Sequence, residues 1–75
     1  MYPTYRKYKN IDVWFEILSS THFIEYKKMG TKLLKEEIIA TIFPEKLFIQ
    51  DMLSCHEGRW EETEKIELQA FIQSN

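Results

Sequence analysis

Hydrophobic and polar positions alternate most clearly over residues 12–18, Asp-Val-Trp-Phe-Glu-Ile-Leu. On a strand, Val13, Phe15 and Ile17 share one side, and Trp14, Glu16 and Leu18 share the other. β-branched and aromatic residues dominate this stretch and the Ser19-Ser20 pair closes it, so it predicts a strand. Large apolar side chains occupy both sides. One side covers the domain core, and the other meets either a partner or the C-terminal helix.

The punctuation of residues 21–29 predicts a short helix. Ser20 or Thr21 can cap its start, Lys27 and Lys28 suit its last turn, and Gly30 fits the left-handed position after it. A strand through residues 23–28 is the competing reading. Residues 31–43 also fit two patterns. Thr31 can cap a helix with the stripe Leu34, Ile38, Thr41 and Ile42, ending before Pro44. Alternation instead sets Leu34, Ile38, Ala40 and Ile42 on one side of a strand. The β-branched run over 38–43 favours a strand for the second half. Pro44-Glu45-Lys46 then reads as a turn and 47–53 as a returning strand.

Residues 54–59 read as a polar loop, with Trp60 after it on the core side. Residues 62–73 predict an amphipathic helix. Glu61, Glu62 and Glu64 crowd its start, where the helix dipole favours negative charge, and Leu68, Phe71 and Ile72 form its apolar stripe. At the other end, Tyr2, Tyr5 and Tyr8 recur every third residue, with Arg6, Lys7 and Lys9 between them. That period predicts an extended, polyproline-type segment, which Pro3 encourages; the alternative is an edge strand that sets Tyr5 opposite the other two, its tyrosines packed on the sheet and its lysines solvated.

These elements make an α+β fold: a small antiparallel sheet with a short helix and a C-terminal amphipathic helix, both on one face. The alternative is all-α, with 21–29 and 31–43 as a helix-turn-helix around Gly30. Seventy-five residues make a single domain, 1–75, that buries only roughly 60% of its unfolded surface. One cysteine excludes an internal disulfide, and the chain is 44% hydrophobic and 15% aromatic. Its stability must come from a dense aromatic core or from self-association.

Charge is lopsided. Residues 1–35 hold seven Lys and Arg against three acids, and residues 36–75 hold three against nine. Such a dipole invites contact between unlike ends, within one molecule or between two. No apolar run reaches the ~18–20 residues of a membrane span. The N-terminal residues lack the apolar core of a signal peptide, and a free Cys fits a reducing compartment, so a cytoplasmic protein is expected.

Candidate chemistry is sparse. Zinc needs four ligands at short spacings, and Cys55, His56 and the distant His22 cannot supply them. No metal and no cofactor is expected. Cys55 as a nucleophile needs a base, but the side chain of adjacent His56 diverges from it on an extended loop. The carboxylate pairs Glu36-Glu37 and Glu61-Glu62 read as solvated faces, and there is no glycine-rich phosphate loop. The chain is expected not to be an enzyme.

Two binding readings remain. The first is a small intracellular protein-interaction domain that forms a homodimer through Trp14 and Leu18, the second apolar side of the first strand. The second is a nucleic-acid-binding or regulatory module using Tyr2, Tyr5, Arg6, Lys7, Tyr8 and Lys9, whose rings stack on bases and whose cations neutralise phosphates. The pI of about 5.6 weighs against the second.

Overall fold

The computed structural model describes residues 2–74; Met1 and Asn75, the ends of the expected 1–75 domain, lie outside them. The fold is α+β and not all-α. Strands β1 (Thr4–Tyr8), β2 (Val13–Ser19), β3 (His22–Met29) and β4 (Lys32–Ile39) form an antiparallel meander. Helix α1 (Phe43–Ser54) and a short 3-10 turn (His56–Gly58) carry the chain back across the sheet. Strand β5 (Trp60–Thr63) then pairs antiparallel with β1, and helix α2 (Lys65–Gln73) follows. The strand order is β4-β3-β2-β1-β5.

The two helices lie on opposite faces of the sheet, which corrects the expectation of one helical face. Register explains this. Facing residues of an antiparallel pair share a side. Arg6, Phe15, Glu25 and Glu36 therefore line one face, and Lys7, Trp14, Tyr26 and Lys35 the other. On the first face Phe15, Ile17, Phe23 and Trp60 close over Ile49 and Met52 of α1. On the second, Tyr5, Trp14 and Tyr26 close over Leu68 of α2. Strand β2 is apolar on both sides because both sides are covered.

Three elements differ from expectation. His22–Met29 form β3, the competing strand reading, rather than a helix over 21–29. Gly30 does not end a helix; with φ +65° it opens the two-residue connection between β3 and β4, where a left-handed residue matches the strands' twist. Residues 47–53 belong to α1, not to a strand, and the expected hairpin over 38–53 is absent. Pro44 sits in the first turn of α1, where its fixed φ is already helical. Phe48, Ile49, Met52 and Leu53 all pack into the core at helical spacing. The first strand-like stretch also differs: residues 4–8 are a paired strand rather than a polyproline segment. Trp60 is in the core as expected, at 2% exposure, and the C-terminal helix forms.

Candidate functional site

The aromatic and basic N-terminal residues are mostly consumed by the fold. Tyr5 is buried, and its hydroxyl donates to Glu16 Oε2 at 3.5 Å. Arg6 is buried, with Nε donating to the Met52 carbonyl at 3.0 Å, Nη2 to the Leu53 carbonyl at 2.9 Å and Nη1 to its neighbour Tyr5 at 2.9 Å. Lys7 Nζ lies 4.8 Å above the Trp14 ring and 3.4 Å from Glu61. Tyr8 stacks on Trp60 at 5.5 Å and meets Phe15 edge-on at 5.3 Å. Burial raises the phenol pKa values of Tyr5 and Tyr8. Tyr2 and Lys9 are the two of the six that remain exposed.

Trp14 is 8% exposed beneath α2, its ring stacked on Phe71 at 5.2 Å. Leu18 is half-buried. The C-terminal helix, one of the two coverings expected for this side of β2, occupies it. Lys28 reinforces the lid: its Nζ lies 5.0 Å over the Phe71 ring and donates to Ser74 Oγ at 2.7 Å. Beneath α2 the Tyr26 hydroxyl donates to Glu16 Oε1 at 2.9 Å, and burial pushes the Tyr26 phenol up to about 12.

Cys55 ends α1 in the left-handed region, φ 52°, and packs against the core. His56 Nε2 lies 3.7 Å from Glu57 on the surface. Among the described residues no hydrogen bond joins Cys55 to His56, and no group of three or more His, Cys, Asp or Glu is placed to hold a metal. No helix among them is long and apolar enough to cross a membrane.

What the fold leaves open is one edge of the sheet. The β5 edge is four residues long and carries exposed Glu61 and Glu62, which blunt it. The β4 edge is eight residues long, and every β4 residue except half-buried Ile38 is exposed. Four apolar side chains belong to it: Leu33, Leu34, Ile38 and Ile39. Leu34, Glu36 and Ile38 face the α1 side, because they oppose Lys27, Glu25 and Phe23. Leu33, Lys35, Glu37 and Ile39 face the α2 side, because they oppose Lys28, Tyr26, Ile24 and His22. Exposed apolar residues end β4 and follow it in the chain. Ile39 is 62% exposed, Ile42 57% and Phe43 72%, and Leu47 lies one helical turn beyond Phe43.

Electrostatics mark the centre of this edge. His22 Nε2 lies 2.6 Å from Glu37 Oε2, bridging β3 to β4. Lys35 Nζ lies 5.8 Å over the Tyr26 ring. Glu25, Lys27, Leu34, Lys35 and Glu36 line a shallow groove beside it. The sequence reading missed this surface, because it began the strand at residue 38. The signal was present in residues 32–35: Leu33 and Leu34 beside Gly30, the kind of residue that opens a tight hairpin. No protein-family model, curated protein or solved structure matches this chain, so its site is read from its own residues.

Proposed function

We propose that the protein is a small protein-interaction domain that self-associates through the open edge of β4. The observation that carries this reading is the contrast between the two sheet edges. A long, exposed, partly apolar edge strand presents unpaired backbone donors and acceptors to another strand, whereas β5 is short and acidic. Exposed Ile39 at the end of β4, and Ile42, Phe43 and Leu47 after it in the chain, add apolar area available to a partner. The Trp14 side no longer supports an interface, because α2 lies on it.

The same reading is of binding rather than catalysis, and of a reducing, cytoplasmic setting. The lone thiol of Cys55 supports the setting. The test is the absolute mass in solution by light scattering over a dilution series. Twice the 9.1 kDa chain mass at high concentration, falling to one chain on dilution, supports the reading. A single-chain mass throughout overturns it.

A further inference from the structure

We infer that the partner on β4 is a second copy of the same strand in one antiparallel register, with Glu36 facing the partner's Glu36 on the two-fold axis. This rests on the self-association proposed above. A two-fold axis normal to the sheet pairs β4 with itself antiparallel and keeps the same face up in both copies. Facing residues must then share a side, so only even shifts of register are allowed.

In the register centred on Glu36, the flanking positions from Leu33 to Ile39 each find a complement. On the α1 side Leu34 faces the partner's Ile38. On the α2 side Leu33 faces the partner's Ile39, and Lys35 faces the partner's Glu37. Glu37 uses Oε2 for His22, which leaves Oε1 to accept from the incoming ammonium. Each of these pairs occurs twice.

The neighbouring registers fail. Centring on Lys35 sets it against itself and places Leu34 against Glu36 and Leu33 against Glu37. Centring on Glu37 sets two carboxylates together and leaves Lys35 against Ile39 and Glu36 against Ile38. A register centred on Leu34 sets Lys32 against Glu36 but pairs only residues 32–36 of β4, against 33–39 when centred on Glu36, so charge and paired length together select this register.

One pair is unfavourable. Glu36 already sits opposite Glu25 within the chain, so the axis lines up carboxylates of both copies across the joined sheet. Like charges directly opposite weaken pairing. Glu36 holds the dimer to modest affinity, and neutralising it tightens the contact.

Cysteine cross-linking reads the register directly. In a Cys55→Ser background, Glu36→Cys, Lys35→Cys and Glu37→Cys are each oxidised gently and run without reductant. Position 36 is exposed, so the substitution leaves the core untouched. The expected result is a covalent dimer from Glu36→Cys alone, while Lys35→Cys and Glu37→Cys link only when mixed with each other. Diagonal positions lie about 7–8 Å apart, beyond disulfide reach. Glu36→Gln is expected to lower the dimer dissociation constant about threefold. A Lys35→Cys or Glu37→Cys chain that links to itself as readily as Glu36→Cys overturns the register while leaving self-association standing. Single-chain masses for both the wild type and Glu36→Gln at hundreds of micromolar overturn both.

Discussion

The Arg6 guanidinium donates through Nε to the Met52 carbonyl at 3.0 Å, joining β1 to the last turn of α1 across 46 residues of sequence. The Leu53 carbonyl takes a second bond from the same group, and the Tyr5 carbonyl a third. A helix C-terminus leaves carbonyls without partners, and a planar fork satisfies two of them at once. Removing the fork takes the half-buried Leu53 carbonyl's bond and leaves the Met52 carbonyl only the Cys55 amide at 3.1 Å. Arg6→Ala is expected to cost about 3 kcal/mol in urea unfolding. Arg6→Lys is expected to recover only part of that loss, because an ammonium cannot span both carbonyls. An unchanged urea midpoint in Arg6→Ala would show that the helix is docked by its apolar face alone.

The same residue shows why a basic N-terminal segment is poor evidence of nucleic-acid binding here. Arg6 and Tyr5 are interior, Lys7 is drawn onto Trp14 and Glu61, and Tyr8 is stacked on Trp60. Deleting residues 1–9 would remove the strand between β2 and β5 and test stability rather than binding. The informative probe is Lys9→Ala, which changes an exposed cation without touching the sheet. Equal, salt-insensitive behaviour of Lys9→Ala and wild type with a mixed-sequence oligonucleotide is the expected outcome.

Alkaline pH should unfold the α2 side of the sheet. Burial, chiefly, and the Glu16 hydrogen bond push the Tyr26 phenol up to about 12, from the ordinary 10.0. The fold therefore favours the protonated phenol. Its stabilising contribution is complete below pH 10 and is lost as pH rises through about 12. Tyr5, on the same side, shifts in the same direction, and Tyr8 does so in the α1-side core, so its ionisation weakens that core as well. The expected observation is a urea midpoint that falls between pH 10 and 12, together with late tyrosinate absorbance. Tyr26→Phe should flatten that fall and cost about 1 kcal/mol at neutral pH, through the lost bond to Glu16.

Helix α2 acts as a lid on Trp14. Phe71 is half-buried and stacked on that ring, and Leu68 is buried beside it. Phe71→Ala should cost about 2 kcal/mol and red-shift tryptophan emission, since Trp60 lies in the other core and stays dry. Trp14→Glu should unfold the protein rather than yield a folded monomer, because it buries an unpaired charge. A folded Trp14→Glu chain in circular dichroism would mean that α2 lifts away from the sheet.

The α+β class, the strand at β2, the core position of Trp60 and the C-terminal helix were legible because each follows from local periodicity or end chemistry. Residues 21–29 and 43–54 were not. Phe23 and Tyr26 are both buried, on opposite faces, so β3 shows none of the one-sided alternation expected of a half-exposed strand. Gly30 and Pro44 are each compatible with two roles, a helix end or a hairpin turn and a turn or a first helical turn. Tertiary packing on both faces decided between them. The candidate edge escaped for a related reason: Lys35, Glu36 and Glu37 interrupt its apolar pattern, and their complementarity is visible only once β4 is known to be an open antiparallel edge.

A charge exchange within β4 separates specific pairing from general stickiness. In the inferred register each Lys35 faces the partner's Glu37, and Leu33 faces the partner's Ile39. Lys35→Glu sets carboxylates opposite one another on both sides of the axis, so it should lower dimer affinity about tenfold, with only a small fall in the monomer's thermal midpoint from the lost contact with the Tyr26 ring. Lys35→Glu combined with Glu37→Lys restores unlike charges across the axis and should recover most of that affinity, at the cost of the in-chain contact between His22 and Glu37. Raising salt should weaken the wild-type and exchanged dimers slightly and strengthen the Lys35→Glu chain. Leu33→Lys should weaken association strongly in either background, because it sets a cation against the partner's Ile39; Leu33 is 37% exposed in the single chain, so some in-chain packing is lost as well. If the double exchange stayed as weak as Lys35→Glu alone, the association would be driven by the apolar end at Ile42 and Phe43 rather than by strand pairing. Phe43→Ser would then be the variant that returns the protein to a single chain.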